Sequence, residues 1–119
     1  MPEARTVLVV EDQPEVRAVL IRLLSEEGYR VLEANDGVEA MEVVTGEHRI
    51  DLVLSDISMP RMDGLELAEH LPPTTRLLFM TGQGKDHWNE PPPAPLIHKP
   101  FEPADLCAEV RRILDSPTG

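Results

Sequence analysis

The sequence is poor in several residue types, and each shortage excludes something. One cysteine among 119 residues rules out a disulfide within the chain. Aromatic residues make up only 3%. The core must therefore be built from Val, Leu, Ile, Met and Ala, and a stacked flavin or nucleobase would lack its usual aromatic walls. Basic residues are scarce, 11 against 22 acidic ones, for a net charge of −11. Such a surface repels phosphate backbones and anionic lipid, which argues against direct binding to nucleic acid or to a membrane. No apolar run approaches the roughly 20 residues of a membrane-spanning helix. The start, Met1-Pro2-Glu3-Ala4-Arg5, lacks the charged-then-apolar build of a secretory signal. These absences set the expectation of a cytoplasmic protein. The length suits a single domain over residues 1–119.

What is present is a set of short apolar runs with chemically distinct endings. Val7-Leu8-Val9-Val10 ends in the acidic pair Glu11-Asp12. Leu52-Val53-Leu54 leads to Asp56, and Leu77-Leu78-Phe79-Met80 leads to Thr81-Gly82. Leu96-Ile97 leads to Lys99-Pro100-Phe101. Continuous branched runs of this length read as strands buried on both faces. Arg30 to Ala34 reads as a further strand.

Helical patterns separate these strands. Pro14 suits a first helical turn with Asp12 or Gln13 as cap, and Gly28 ends that helix. Val16, Val19, Leu20, Leu23 and Leu24 give it one apolar face. Asn35-Asp36-Gly37 is a turn and cap before a helix over Val38 to Val44 that Gly46 stops. Leu65, Ala68 and Leu71 outline a short third helix. Leu106, Cys107, Val110, Ile113 and Leu114 outline the last, and Cys107 reads as packing rather than reactive. Between the fourth and fifth strands, Pro91, Pro92, Pro93 and Pro95 leave room for one or two turns at most, so the fourth helix is expected to be short or absent and its loop mobile. Alternating strands and helices predict an α/β fold with a parallel sheet covered on both faces. In such sheets the site lies beyond the carboxyl ends of the strands. Glu11, Asp12, Asp56, Thr81 and Lys99 all fall there.

Three converging carboxylates repel one another unless a cation relieves them. Oxygen ligands suit a hard ion, and Mg2+ prefers one or two carboxylates together with phosphate oxygens. With the metal in place, Asp56 is a plausible nucleophile toward phosphorus. Lys99 offers a positive charge and Thr81 a hydroxyl donor to the phosphoryl oxygens.

At this point the chain resembles a response-regulator receiver domain of two-component signalling, over nearly its whole length. The resemblance rests on Glu11-Asp12, on Asp56 followed by Met59-Pro60 and Asp63-Gly64, on Thr81-Gly82, and on Lys99-Pro100-Phe101. It implies a flavodoxin-like doubly wound sheet of five parallel strands in the order 2-1-3-4-5. It implies Mg2+ held by Glu11, Asp12, Asp56 and the backbone carbonyl of Ser58, with Asp56 as phosphoacceptor. It also implies a histidine kinase or phosphotransfer protein as donor, and a cis peptide before Pro100. Two departures stand out. Leu96 occupies the position three residues before the lysine where the family usually carries Tyr or Phe. A proline-rich segment stands where the fourth helix belongs, and Phe79-Met80-Thr81-Gly82 is similar to a subgroup in which that helix is irregular. The expected readout is ordering of Lys85 to Pro95 on phosphorylation rather than an aromatic flip.

Each residue has a blander reading alone: Glu11-Asp12 as a solvated helix cap, Thr81 as a turn residue, Lys99 as a surface charge. Asp63-Gly64 reads as a structural turn, and Asp51 sits at the other end of its strand. His48, His70 and His87 read as surface residues, and strand alternation turns His98 away from the lysine. Trp88 anchors the loop or faces a partner. Rival functions are a phosphate-independent interaction module, a phosphatase and a flavin carrier. Ser58 stands where an aspartyl phosphatase would carry its second acid, so slow self-dephosphorylation rather than enzymatic turnover is expected. No phosphate-cradling glycine loop follows the first strand. Output would pass through a downstream partner or effector outside this chain. Met1 and the short tail suit a stand-alone regulator, and the receiver part of a hybrid kinase is the other reading.

Overall fold

A computed structural model describes residues 4–46, 49–57, 64–72, 75–82, 95–99 and 101–115. Five strands, β1 (Thr6–Val10), β2 (Arg30–Ala34), β3 (Leu52–Asp56), β4 (Arg76–Thr81) and β5 (Leu96–His98), form one sheet. All neighbours are parallel, in the order β2-β1-β3-β4-β5, as expected. The described helices are α1 (Pro14–Glu26), α2 (Gly37–Gly46), α3 (Gly64–His70) and α4 (Pro103–Asp115). The fourth helix expected after Gly82, the loop from Lys85, His87 and Trp88 all fall on residues 83–94, outside the described ones. No described helix is long and apolar enough to cross a membrane.

Strand alternation sorts the core into two layers. Val7, Val9, Leu52, Leu54, Leu78 and Met80 pack with Leu20 and Leu24 of α1 and with Leu106, Val110, Ile113 and Leu114 of α4. Leu8, Val10 and Val53 pack on the other side with Ala40 of α2 and with Leu67 and Leu71. Every residue of β1 and of β3 is buried, which is why Val7 to Val10 and Leu52 to Leu54 run apolar without alternation.

Two helix faces differ from expectation. Val19 is 56% exposed. It lies about 100° round the helix from Leu20, outside the arc set by Leu20 and Leu24. Among the described side chains of α3 the fully buried one is Leu67, with Ala68 only half-buried. Cys107 is half-buried, and burial pushes its thiol pKa up, away from reactivity.

The helix ends follow local chemistry. Gln13 is the cap residue of α1 but gives it no side-chain hydrogen bond. After α1, Gly28 takes φ 95°, its N–H reaches Ser25 and that of Tyr29 reaches Leu24. That pair of bonds is a Schellman motif, and it needs the glycine. At α2 the Asp36 carboxylate accepts the Glu39 N–H at 2.9 Å, while Glu39 reaches back to the Asn35 N–H. These caps fix where each helix leaves the sheet, and so where each strand end stands.

Candidate functional site at the carboxyl edge of the sheet

Register decides which side chains meet. Val10 is level with Ser55, so Glu11 and Asp56 are the next pair on adjacent central strands. Asp56 is level with Met80, and Met80 with Ile97. Alternation then puts Glu11 in phase with Val7 and Val9, Asp56 with Leu52 and Leu54, and Lys99 with Ile97. All three share the sheet face covered by α1 and α4. Gly82 occupies the same phase on the strand between Asp56 and Lys99. A Cβ there would stand 3.7 Å from Lys99 Cδ and 3.8 Å from its Cβ, so the lysine stem crosses β4 over the glycine. The backbone supports this crossing, since the Lys99 N–H donates to the Thr81 carbonyl at 2.7 Å.

The lysine ends between two carboxylates. Its Nζ is 2.8 Å from Asp56 Oδ2 and 2.9 Å from Glu11 Oε1. Glu11 is fully buried, and its other oxygen accepts the Gln13 N–H at 3.1 Å. Oxygens of Glu11, Asp12 and Asp56 all lie within 4.8 Å of one another. Burial pushes the Glu11 pKa up; the Lys99 hydrogen bond, the Gln13 N–H and the lysine charge oppose that rise. Burial alone would lower the Lys99 pKa, but its hydrogen bonds to Asp56 and Glu11 outweigh this and raise it. The ammonium is therefore firmly charged at neutral pH.

The donor set fits a hard divalent cation. All three candidate ligands are carboxylates, with no sulfur or imidazole among them. Three carboxylates against one ammonium leave two negative charges when all are ionised, the charge that one such ion cancels.

Residues that sequence reasoning did not select also hold this edge. Ser55 Oγ donates to the Asp56 carbonyl at 2.9 Å inside the core. Arg17 of α1, which is not among the residues of its apolar face, sends Nη1 to the Glu11 carbonyl at 2.7 Å. It also contacts Glu33 and Asn35 at the end of β2, at 3.0 and 3.2 Å. A signal existed: Arg17 lies one turn beyond Gln13, the α1 cap, and so overlooks the acid pair.

The family model for the response regulator receiver domain matches residues 7–111. The chain belongs to this family. The receiver is 38% identical to the sensor kinase CckA of Brucella abortus, over 92% of this chain but only 12% of that protein. It is 33% identical to the response regulator receiver protein CpdR of Brucella abortus, over 92% of this chain and 97% of that one. Among solved structures, the receiver domain from hybrid histidine kinase CckA aligns with TM-score 0.77 and 34% identity, covering 92% of this chain and 99% of that one. A response regulator receiver protein from Sinorhizobium medicae gives TM-score 0.85 at 26% identity, covering 96% and 97%.

Of the residues expected at the receiver's site, the fold brings Glu11, Asp12, Asp56 and Lys99 together. Thr81 is buried at the end of β4, tied through its carbonyl to Lys99. Leu96 is half-buried on β5, level with Phe79. His98 is exposed, and so is His70. Ser58, Met59, Pro60, Asp63, His48 and Pro100, with the expected cis peptide, lie outside the described residues.

Proposed function

We propose that this receiver accepts a phosphoryl group on Asp56 from a histidine kinase or phosphotransfer protein and passes the change to a downstream partner. The observation that carries this reading is the Lys99 ammonium at 2.8 Å from Asp56 and 2.9 Å from Glu11, with Asp12 in the same cluster. Glu11, Asp12 and Asp56, with the Ser58 carbonyl that the family resemblance adds, would hold Mg2+. When bound, that ion neutralises phosphoryl oxygens and lets the acids stay ionised together.

In the transfer, a carboxylate oxygen of Asp56 attacks phosphorus. The P–N bond of the donor phosphohistidine breaks, and its electron pair returns to the imidazole, which takes up a proton. Lys99 is already hydrogen-bonded to Asp56, so it can follow the developing charge onto a phosphoryl oxygen without reorganisation. The Thr81 hydroxyl is the proposed second donor. The chain contributes positioning and charge, the main requirements of phosphoryl transfer. We expect phosphorylation of itself and slow loss of the group rather than turnover of a substrate. The single cysteine and acidic composition support a cytoplasmic setting.

Incubation with a small phosphodonor such as acetyl phosphate tests the reading. Wild type should become labelled only with Mg2+, through a hydroxylamine-sensitive acyl phosphate, and Asp56→Asn should not. Equal labelling of the variant, or labelling indifferent to chelator, would overturn it.

A further inference from the structure

We infer that Arg17 is a positioning residue of the cation site, holding the Glu11–Asp12 peptide in place through the Glu11 carbonyl. The inference rests on the phosphoryl-acceptor reading and deepens it. The β1–β2 ladder ends at Val10 and Ala34, and one further bond, Glu11 N–H to the Ala34 carbonyl at 3.1 Å, closes it. Beyond that point no strand supports the chain, yet Asp12 must present its carboxylate beside Asp56. The guanidinium takes over from the strand. Nη1 donates to the Glu11 carbonyl at 2.7 Å, a short bond from a charged donor.

That carbonyl shares one rigid peptide plane with the Asp12 nitrogen. Fixing it fixes the direction in which Asp12 leaves the strand. With the Glu11 side chain held by Lys99 and by the Gln13 N–H, the residue is secured at its amide, its carbonyl and its carboxylate.

The other two contacts brace the guanidinium. Arg17 is 19% exposed in its side chain, whereas Glu33 is 60% exposed. An ion pair with so exposed a partner contributes little by itself. Glu33 and Asn35 instead orient the arginine fork against the end of β2, so that Nη1 faces the carbonyl. Three elements, β1, β2 and α1, thus converge on one side chain that touches neither metal nor phosphate in the proposed reaction. Groups of this kind, one step removed from a metal, orient its ligands and so set its affinity.

The test compares Mg2+ affinity by titration calorimetry, and the rate of labelling by acetyl phosphate, for wild type, Arg17→Gln, Arg17→Lys and Glu33→Gln. Thermal unfolding is followed in parallel so that only folded protein is compared. Arg17→Gln should weaken Mg2+ binding about ten-fold, and saturating Mg2+ should restore most of its labelling rate. Arg17→Lys, which keeps a charged donor, should recover part of the affinity, and Glu33→Gln, which keeps an acceptor oxygen to orient the guanidinium, should bind as wild type does. Mg2+ affinity in Arg17→Gln indistinguishable from wild type would overturn the inference alone. So would a labelling defect that saturating Mg2+ does not relieve, or an equal loss in Glu33→Gln. A wild type that binds no Mg2+ would overturn both this inference and the reading beneath it.

Discussion

The two edges of the sheet hold similar groups to opposite effect. At the amino edge, the Asp51 carboxylate accepts the Thr6 N–H at 2.7 Å, and the Asp51 N–H returns to the Thr6 carbonyl at 2.8 Å. Arg49 lies 3.3 Å from the other Asp51 oxygen, and Arg5 donates to the Leu114 carbonyl at the end of α4. The acid there closes structure. At the carboxyl edge, three carboxylates cluster, two of them share one ammonium, and one of the acids is wholly buried. A balanced edge needs nothing further, whereas an edge with surplus negative charge is suited to a cation. The contrast separates an acid that serves the fold from acids proposed to serve a ligand, though all follow or precede strands in much the same way.

The largest test of this contrast is Lys99→Met. It leaves Glu11 and Asp56 without their counter-charge and should destabilise the Mg2+-free protein by roughly 3 kcal/mol at neutral pH. Urea unfolding should show the loss and its partial recovery on adding Mg2+. Next comes the ion itself. At a hundred-fold excess over its dissociation constant, Mg2+ should stabilise wild type by about 2.7 kcal/mol. Asp51→Asn should keep that increment and Asp12→Asn should lose most of it; reversal of the two would erase the distinction between the edges. Asp51→Asn should cost about 1 kcal/mol, for one weakened hydrogen bond, with or without Mg2+.

A pH series sharpens the same point. Burial holds the Glu11 pKa above its ordinary 4.5. The folded protein therefore keeps a proton that the unfolded chain has released, and the stability from this group, full below 4.5, declines as pH rises through the folded value. Glu11→Gln has no such decline, so in Mg2+-free urea melts it should gain on wild type from mild acid to neutral pH. The smallest effect belongs to Gly82→Ala. Its new Cβ meets the lysine stem at ordinary contact distance, and stability should stay within about 0.5 kcal/mol of wild type by thermal melting.

Much of this was readable before any coordinates. β1 and β3 announced themselves because both their faces are covered, and the last residue or two of each run marked the functional edge. The order of the motifs along the chain then gave the sheet order through its family resemblance. Other features resisted for physical reasons. Val19 fits an apolar spacing, but the arc that α1 buries is set by the width of the sheet beneath it. Leu67 was passed over because a helix as short as α3 offers too few turns to establish a phase. Arg17 was hidden by its type: an arginine off the apolar face reads as solvent-facing until the fold supplies a carbonyl within its reach.

The shared phase of Glu11, Asp56 and Lys99 ties chemistry to counting. The alternation that seats Val7 and Val9 against the helices also addresses the acid two residues later. A single residue inserted between Val9 and Glu11 would leave the hydrophobic seat intact and turn the glutamate to the opposite layer. The reading frame of each strand is thus part of the site, and apolar residues with no chemistry of their own keep its charged groups in step.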